Sequence, residues 1–491
     1  MRDSNTKSRR TRRAVATPLW ARINGNVRLE AHPDGRIFAC FDHHLVDLGP
    51  FGANAAHLAR ELSADLPLKS IATGEGTGDQ EIQSLVGRLA RHGLLEYYLG
   101  GQTGDDVVVE PQVADYQPRM PPLHDADFLV LSRFAYLRRR ADQLLLESPL
   151  AGAVFGIRNP KIAALLALLS TPKQLKGLRR QDGFPGVELL ALLLDSRILF
   201  KIAAGCEGDL RRAEGDDGLV LWDFHDLLFH TRSTEGRHAN VQGGLYPYVG
   251  TIAPLAPVRS RWPGKKVDLT RYRSADSQEG AQAAELLRAR HSTRNFDDRR
   301  PITLVELARF LDGAARVQSK WTGQLELGDC TAKLEYAARP YPSGGASYEL
   351  ELYLAVDKCE GLARGFYHYD AGAHALVPIV VEPNELDAML ASASFAMDTA
   401  ATAQVLITIA GRFGRVSWKY SSLAYSLVLK NVGALTQTLY LMATDLGLGG
   451  CAIGSIDIEL FARMTGLEFH TEGAVGQFAM GRAAMQSSVQ R

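Results

Sequence analysis

The sequence lacks a net charge, because 55 basic residues balance 55 acidic residues over 491 positions. A neutral chain has no overall field that would draw it to nucleic acid or to a membrane. It also lacks a long apolar run, since the most apolar segment, 421–450, is interrupted by Lys430, Asn431 and Asp445. We therefore predict that this segment is a buried helix and not a membrane span.

Cysteine is scarce, and its five positions are widely spaced with no Cys-x-x-Cys pair: Cys40, Cys206, Cys330, Cys359 and Cys451. This pattern is typical of thiols in a reducing compartment, not of a disulfide framework or a zinc site. His225 and His230 lack supporting ligands nearby, so we predict no metal site. Because the basic N-terminus also lacks the apolar core of a signal peptide, we expect a cytoplasmic protein.

The N-terminal part contains two successive stretches of short strand and helix patterns. Residues 1–22 are predicted to be a basic tail, and 23–100 a winged-helix-like module with strands "VRLEA" and "RIFACF" ahead of two helical patterns. A segment rich in Gly, Asp, Pro and Gln, 101–123, is predicted to be a linker. Residues 124–206 repeat the pattern, with helices in "NPKIAALLALLS" and "GVELLALLLDSRI".

Neither predicted module presents a face suited to reading DNA. Their second helices are Ala/Leu-rich or mixed in charge, and they lack the Arg, Lys, Asn and Gln side chains that contact base edges. We therefore predict that the modules bind protein or peptide, and we expect no nucleic acid partner.

The C-terminal half has a longer α+β pattern. Residues 207–280, rich in glycine, proline and aromatic residues, are predicted to be an ordered connecting segment, and 281–491 one catalytic domain. Within it we predict four strands, a long helix over 421–446, a short helix, and a last strand at 474–481. The fold class predicted is thus α+β.

Two helices of this domain carry clear end signals. Thr303 with Glu306 three residues later forms a capping box, and Gly313 is predicted to stop that helix. The short helix is predicted to start after Asp457 and to end at Gly466.

The first motif with chemical content is "RARHSTRNFDDRRPI", residues 288–302, which holds five arginines and a histidine ahead of an apolar helical pattern. It could be a solvated basic turn or a patch that binds a partner. A third interpretation is a socket for a phosphate at a helix end, where guanidinium groups, a hydroxyl and free backbone N–H groups meet. The candidate ligands are Arg290, His291, Ser292 and Arg294.

Two glycine-rich motifs follow. In "RPYPSGGASYELELYL", the glycines at 344–345 either form a plain turn or let the backbone approach a flat ligand closely. The motif "LGLGGCAIGSID" follows a helix, whereas a dinucleotide-binding fingerprint follows a strand and opens a helix. We therefore do not interpret it as a nicotinamide site.

The last motif, "SWKYSSLAYSLVLKNVG", places Lys419 and Tyr420 beside a predicted helix start. Such a pair in a partly dry site can act as base and hydrogen-bond donor, because burial favours the neutral amine. The other interpretation is an ordinary pair of surface side chains.

Together these motifs resemble the flavin-dependent nitroreductase family, and within it the SagB-type azoline dehydrogenases, which include the cyanobactin oxidases. The resemblance covers residues 218–485. It implies an FMN-binding C-terminal domain with catalytic roles for Lys419 and Tyr420. It further implies a phosphate site of Arg290, His291, Ser292 and Arg294 with Arg482, a ring site of Pro342, Ser343, Gly344 and Gly345, and flavin contacts at Ala452, Ile453 and Gly454.

The resemblance implies oxidation of thiazoline or oxazoline rings to thiazoles or oxazoles in a ribosomally made peptide. The implied partners are the heterocyclised precursor peptide, leader and core, a cyclodehydratase and a second copy of the chain. The N-terminal modules weakly resemble winged-helix domains that bind leader peptides in these pathways. Gly433-Ala434 stands where many relatives carry Gly-His, so any tuning of the flavin by that histidine differs here.

Three alternatives remain open at this point. A generic NAD(P)H-dependent nitroreductase would share the phosphate and glycine motifs. Another peptide-tailoring flavin enzyme, such as a dehydroalanine reductase, would share the peptide substrate. A peptide-binding protein with a degenerate flavin domain would share the fold alone.

Overall fold

The structure is a computed structural model, and its contacts divide the chain into two compact units, 1–220 with 236–239, and 221–235 with 240–491. The first helical pattern of the 23–100 module, residues 53–63, lies outside the described residues except for position 57. Cys206 and most of 1–22 and 239–281 also lie outside them. The structure describes residues 19–25, 27–41, 44–51, 57, 66–67, 84–90, 92, 94–101, 104–113, 116–181, 184–203, 209–238, 251–252, 257, 268, 282–327 and 330–484.

The first unit contains a seven-stranded antiparallel sheet. Its strands are β1 (Leu19–Ile23), β5 (Leu66–Pro67), β6 (Leu95–Gly101), β7 (Gly104–Pro111), β9 (Tyr136–Arg140), β10 (Gln143–Glu147) and β11 (Ala153–Ile157), in the order β5-β1-β6-β7-β11-β10-β9. A separate sheet holds β2 (Arg28–Ala31), β3 (Arg36–Phe41) and β4 (His44–Pro50). The predicted strands "VRLEA" and "RIFACF" are confirmed by β2 and β3.

Strand β7 lies inside the segment 101–123 that the sequence predicts to be a linker. It pairs with β6 on one side and β11 on the other, so strands from both predicted modules share one sheet. The physical reason is its run of three β-branched residues, Val107 to Val109, all of them buried. This run outweighs the glycine and aspartate that precede it.

The same unit holds a small antiparallel sheet and three helices from the second predicted module. The strands are β8 (Phe128–Leu131), β12 (Lys173–Gln174) and β13 (Leu199–Ile202), and the helices are α1 (Pro160–Leu168), α2 (Leu175–Leu178) and α3 (Val187–Asp195). Helix α1 starts where Asn159 caps it, accepting from the backbone N–H of Lys161. One apolar core includes residues of both predicted modules, and their winged-helix-like character stays a prediction.

The predicted connecting segment begins with helices in both units. Helices α4 (Leu210–Ala213) and α5 (Asp217–Val220) belong to the first unit, and α6 (Phe224–Arg232) belongs to the second. The indole N–H of Trp222, just before α6, donates to the carbonyl oxygen of His470 over 2.7 Å. Residues 221–235 are therefore part of the C-terminal unit.

The second unit is built on a six-stranded antiparallel sheet in the order β20-β19-β17-β21-β23-β22. Its central strands are almost wholly buried, which explains their continuous apolar sequences: only Glu351 in β17 and Arg412 in β21 are even partly exposed. The strands are β17 (Leu350–Val356), β19 (Gly365–Asp370), β20 (Ala375–Ile379), β21 (Val405–Arg412), β22 (Gly449–Ile453) and β23 (Glu472–Gly481).

The predicted strands and helices of this unit are confirmed, and further elements are present. The helices are α7 (Gln282–Ala289), α8 (Leu304–Ala315), α9 (Pro383–Ala396), α10 (Gly414–Ser417), α11 (Ala424–Asp445) and α12 (Ile458–Thr465). The sequence did not predict α9, or the hairpin of β15 (Ser319–Leu327) and β16 (Cys330–Ala338). Short strands β14 (Ile302–Thr303) and β18 (Cys359–Glu360) pair in parallel.

The capping box of Thr303 and Glu306 at the start of α8 is confirmed, but Gly313 does not stop the helix. Gly313 lies inside α8, which ends at Ala315. A Cβ atom at Gly313 would lie 2.4 Å from Cε of Met442 in α11. The end of the Met442 side chain therefore packs directly over Gly313, where helices α8 and α11 meet.

Candidate active site

The glycine-rich loop and the Lys-Tyr pair lie in contact. Nζ of Lys419 donates a hydrogen bond to the carbonyl oxygen of Gly345, 74 residues away in sequence, over 3.3 Å. Gly345 has a φ of 61°, and a Cβ atom there would lie 2.3 Å from the Tyr420 hydroxyl. Glycine is required at this position by both the left-handed backbone and the lack of space. The structure thus brings two of the four sequence motifs into one site.

This site is open to solvent on one side. Lys419 is exposed and Tyr420 is half-buried, with Nζ of Lys419 5.3 Å from the centroid of the Tyr420 ring. The partly dry surroundings predicted for Lys419 are therefore not present among the described residues. Pro342 and Gly345 are also exposed, so loop backbone and Lys-Tyr side chains face the same accessible region.

A buried polar network, which the sequence did not predict, holds the glycine-rich loop against α11. Oδ1 of Asn431 accepts from the backbone N–H of Gly344 over 3.0 Å, and its Nδ2 donates to Oε1 of Glu349 over 2.8 Å. Oγ of Ser343 donates to Oε2 of Glu349 over 3.3 Å and accepts from the backbone N–H of Tyr348 over 3.0 Å. The Ser343–Asn431–Glu349 network therefore fixes the backbone of the loop.

The surroundings of Glu349 shift the pKa of its carboxyl group. Its side chain is fully buried, and this burial raises the pKa of its carboxyl group.

The sequence contains two signals for this network, an asparagine in an apolar helix pattern and a glutamate at the start of an apolar strand. Each is a polar residue that must be satisfied when buried, which predicts a hydrogen-bonding partner but not its identity.

The basic motif is joined to the far part of α11 and to β22. The hydroxyl of Tyr440 lies 2.9 Å from Oγ of Ser292 and accepts from the backbone N–H of Ala452 over 2.8 Å. The guanidinium of Arg290 lies 5.1 Å from the centroid of the Tyr440 ring, a cation–π arrangement. Tyr440 therefore links the first and third sequence motifs.

Beside this motif is a hollow of about 490 Å³. His291, Ser292 and Arg294 line it, so three of the four predicted phosphate ligands face one space. Asp398, Thr399, Ala483 and Ala484 also line it. Its size and donor groups are compatible with a phosphate, although one carboxylate is present in the wall.

The position of the basic motif differs from the predicted one in a physical respect. Residues 290–294 follow the C-terminus of α7, and the N-terminus of α8 is already capped by Thr303. The carbonyl end of a helix repels anions, so no helix N-terminus assists binding here. Attraction for a phosphate in the hollow would therefore come from side chains, with Arg294 as the guanidinium group in its wall.

Arg482 is not brought to this hollow. Its guanidinium donates to both carboxylate oxygens of Glu306 over 2.8 Å, and it does not line the space beside Arg294. Burial raises the pKa of Glu306, but hydrogen bonds from Thr303 and Arg482 outweigh this effect and hold the pKa below its usual value. The structure thus gives Arg482 a structural partner, and its phosphate role stays a prediction.

The residues predicted to contact the flavin after α11 lie at an edge strand and not in a loop. Ala452 and Ile453 end β22, which pairs only with β23 among the described strands, and Gly454 follows. Ala452 and Gly454 are exposed, whereas Ile453 is buried. The Ala452 backbone therefore faces the Tyr440 region, and Ile453 packs inside.

The two parts of the site lie along one helix. Asn431 contacts the glycine-rich loop and Tyr440 contacts the basic motif, and nine residues of α11 separate them by about 13 Å. Nine residues also make about two and a half helical turns, so the two contacts lie on opposite sides of α11.

Other kinds of site find little support among the described residues. No group of three or more His, Cys, Asp or Glu side chains is placed to hold a metal ion. Nδ1 of the buried His230 lies 3.0 Å from the hydroxyl of Tyr425, whereas His225 is exposed. No described helix is both long and apolar enough to cross a membrane.

Known sequences match both halves of the chain. A sequence model of the nitroreductase family matches residues 287–482, and one of the cyanobactin oxidase ThcOx matches residues 129–239. Over 171 residues the chain is 32% identical to the nitroreductase-family protein MJ1384 of Methanocaldococcus jannaschii, which covers 35% of this chain and 77% of that protein.

Solved structures overlap the chain only in part. A nitroreductase-family structure from Ralstonia eutropha has 23% identity and a TM-score of 0.33, covering 48% of this chain and 100% of that chain. The Escherichia coli microcin synthetase McbBCD complex with truncated pro-MccB17 bound has 18% identity and a TM-score of 0.38, covering 55% and 97%. A Bacteroides fragilis nitroreductase with bound FMN has 15% identity and a TM-score of 0.26, covering 43% and 94%.

Structural overlaps of this size carry no functional argument, so the assignment rests on the sequence matches. The nitroreductase match covers all four motifs of the C-terminal unit, and the cyanobactin oxidase match lies ahead of it. The predicted resemblance to the SagB-type branch and its cyanobactin oxidases, and the predicted nitroreductase-like C-terminal domain, are thereby confirmed. The chain belongs to the nitroreductase family and is a flavin-dependent oxidoreductase.

Proposed function

We propose that the chain is an FMN-dependent dehydrogenase that oxidises thiazoline or oxazoline rings in a ribosomally made peptide to thiazoles or oxazoles. The observation that carries this proposal is the contact of Lys419 with Gly345 at the accessible face of the glycine-rich loop. The match of residues 129–239 to a cyanobactin oxidase supports a peptide substrate. A nitroreductase acting on small molecules alone would need neither feature.

Two groups of residues, on opposite sides of α11, are proposed to hold FMN. At one end, His291, Ser292 and Arg294 would hold the phosphate in the hollow of about 490 Å³. At the other, the accessible backbone of Ser343 to Gly345 would lie against the ring, beside the Lys-Tyr pair that contacts Gly345. When bound, FMN supplies the two-electron acceptor for the reaction, with dioxygen as the terminal oxidant.

The role of the Lys-Tyr pair follows from the balance of the reaction. Conversion of an azoline to an azole removes one proton and one hydride from neighbouring ring atoms, and aromatisation drives it. Nζ of Lys419 or the hydroxyl of Tyr420 accepts the proton, and the Gly345 carbonyl orients Nζ. A bound peptide would cover the exposed Lys419, exclude water and favour the neutral amine that a base requires.

The proposed function also defines partners. The substrate is a precursor peptide, leader and core, in which a cyclodehydratase has already formed the azolines. The N-terminal unit is proposed to hold the leader, in line with the cyanobactin oxidase match at 129–239. A homodimer is proposed because the nitroreductase match implies the oligomeric state that is usual in this fold.

The experiment is an assay of the purified protein, in air, with a synthetic thiazoline peptide. We expect yellow protein that releases FMN on denaturation, and a peptide that loses two hydrogens by mass spectrometry. A peptide that gains two hydrogens would instead indicate a reductase. Consumption of NADPH with a nitroaromatic compound, with the azoline peptide untouched, would favour a generic nitroreductase, and colourless protein that takes up no FMN would contradict the proposal.

A further inference from the structure

A second cavity, of about 690 Å³, lies in the C-terminal unit and is lined by the β15–β16 hairpin and the β17 and β19 strands. Ser347 and Arg415 also line it, and they connect it to the candidate active site. Ser347 follows Gly345 by two positions, and Arg415 precedes Lys419 by about one helical turn. The cavity therefore adjoins the Lys-Tyr pair.

Three guanidinium groups from three parts of the chain line this cavity. Arg339 follows β16, Arg412 ends β21, and Arg415 lies in α10. The Arg339 side chain is only 8% exposed, and its Nε is buried with no hydrogen-bond partner among the described residues. Arg412 and Arg415 are accessible, so a ligand can reach them.

The carboxylate nearest to two of these arginines is shared with a third cation-forming group. Oε1 of Glu351 lies 3.5 Å from Arg339 and 3.8 Å from Arg412, and Oε2 lies 3.4 Å from Nε2 of His368. One carboxylate thus serves two guanidinium groups and an imidazole, and its hydrogen bond raises the pKa of His368.

Arg415 has no carboxylate partner at all among the described residues. It donates to the carbonyl oxygens of Ser347 and Glu335, over 2.7 Å and 3.2 Å. Partial desolvation, together with repulsion from Arg412 and Arg339, lowers its pKa, against weaker attraction from Glu349 and Glu335. An added anion would relieve this repulsion.

Three further carboxylates line the cavity, those of Glu335, Asp370 and Glu472, together with the ammonium group of Lys320. Glu472 accepts a hydrogen bond from the Tyr353 hydroxyl over 2.6 Å, and burial raises the pKa of its carboxyl group. Asp370 is occupied elsewhere, because it accepts from the backbone N–H groups of Gly372 and Ala373 over 2.9 Å.

The walls of the cavity suit a peptide better than a small inorganic anion. Trp321 and Tyr336 stack at 5.6 Å and, with Tyr348, provide flat apolar surface beside the arginines. Aromatic faces of this kind contact peptide side chains and backbone, whereas guanidinium forks match carboxylate oxygens in pairs.

We propose that this cavity binds a carboxylate of the peptide substrate, with Arg412 and Arg415 as its accessible ligands, while the ring to be oxidised lies at the Lys-Tyr pair. The inference rests on the proposed function for the identity of the peptide. The carboxylate is either an acidic side chain near the ring or the C-terminal carboxylate of the peptide. Arg339, whose side chain is almost buried, forms part of the cavity wall.

The test uses the full-length holoenzyme and synthetic, fluorescently labelled thiazoline peptides. One series places Asp at each position flanking the ring, paired with Asn at the same position, and a second pairs a free C-terminus with its amide. Equilibrium binding is measured by anisotropy and turnover by mass loss. We expect one acid–amide pair in which the acid binds about tenfold more tightly, and that pair identifies the source of the carboxylate.

The Arg412→Gln/Arg415→Gln double variant should reduce this acid–amide difference to less than twofold, and each single variant should reduce it partly. The matched control is Arg364→Ala, an exposed arginine outside the cavity that pairs with Asp357 and Asp387. It should keep the full difference. Flavin content and thermal midpoint show whether each variant is folded. If the double variant does not fold, the two single variants are used for the comparison.

The outcomes separate this inference from the proposed function. Peptides that are oxidised without any acid–amide difference, or a difference that persists in the folded arginine variants, would overturn the carboxylate site and leave the function standing. Acid-dependent binding that the variants abolish, without oxidation of any peptide, would support the site and overturn the function.

Discussion

At the residue scale, the site depends on contacts that the sequence could propose only as separate motifs. The sequence indicates that Lys419 and Tyr420 are neighbours and that Gly345 needs no side chain. The structure adds that these features meet, with Nζ of Lys419 3.3 Å from the Gly345 carbonyl oxygen. It also shows Lys419 exposed, so its proposed role as a base depends on what covers it.

The first residue-scale prediction concerns Lys419→Ala. If Lys419 is the base, turnover of a thiazoline peptide should fall by roughly 100-fold or more, because a positioned base contributes at least that much. Flavin content should be unchanged. Lys430→Ala is the control, since Lys430 is an exposed lysine of α11 whose Nζ donates to Oγ of Ser426. Loss of FMN with Lys419→Ala would show that the residue is structural.

The second prediction concerns how the contribution of Glu349 to folding stability depends on pH. Because burial raises the pKa of Glu349 in the folded chain, its stabilising contribution is present below the unfolded pKa and is lost as pH rises through the folded pKa. The Glu349→Gln variant has no carboxyl group to titrate here, so it does not lose this stabilisation as the pH rises. The thermal midpoint of Glu349→Gln relative to wild type should therefore increase between pH 4.5 and pH 8. Glu326→Gln, at an exposed position of β15, is the control, and a pH-independent difference would contradict the argument.

At the scale of elements, α11 is the organising helix of the C-terminal unit. It contacts the glycine-rich loop through Asn431, the basic motif through Tyr440, and α8 through Met442. Its apolar pattern predicted a buried helix, but the same pattern does not show which neighbours cover each face. Gly313 illustrates this, because a glycine inside a helix is a poor stop signal where another helix packs against it.

A matched pair of glycine substitutions tests this packing. A Cβ atom added at Gly433 in α11 would meet no atom of a neighbouring element within 4 Å, whereas at Gly313 in α8 it would lie 2.4 Å from Met442. Gly433→Ala should stabilise by about 1 kcal/mol and raise the thermal midpoint by about 2–4 °C. Gly313→Ala should give a smaller rise or a fall. Equal shifts in the two variants would contradict the close approach of α8 and α11.

At the scale of the whole molecule, a homodimer is predicted from the family. None of the residues of α7 is buried, and Leu287 is 53% exposed, so the part of the chain that the structure describes leaves an apolar side of this helix uncovered. Sedimentation of the FMN-bound protein should give the mass of two chains. A monomer that retains FMN and full activity would contradict this prediction.

Much of the C-terminal unit was predictable because its elements carry strong local signals. Strands such as Val405–Arg412 are continuously apolar, and α12 has both an Asp457 cap and a left-handed Gly466. The hairpin Ser319–Leu327 with Cys330–Ala338 was not predicted: its polar and apolar residues partly alternate, but none of its described side chains is buried. Helix Pro383–Ala396 was missed because its alanines and serines give little contrast between faces.

The sequence by itself determined the family of the chain, its α+β class and the set of candidate motifs, because residue type and spacing encode local conformation and local chemistry. Tertiary structure alone decided that Asn431 and Glu349 hold the glycine-rich loop, that Arg482 pairs with Glu306, and that Arg339, Arg412 and Arg415 share one cavity. The reason is that these contacts join residues far apart in the chain. No local pattern specifies which distant partner satisfies a buried polar group.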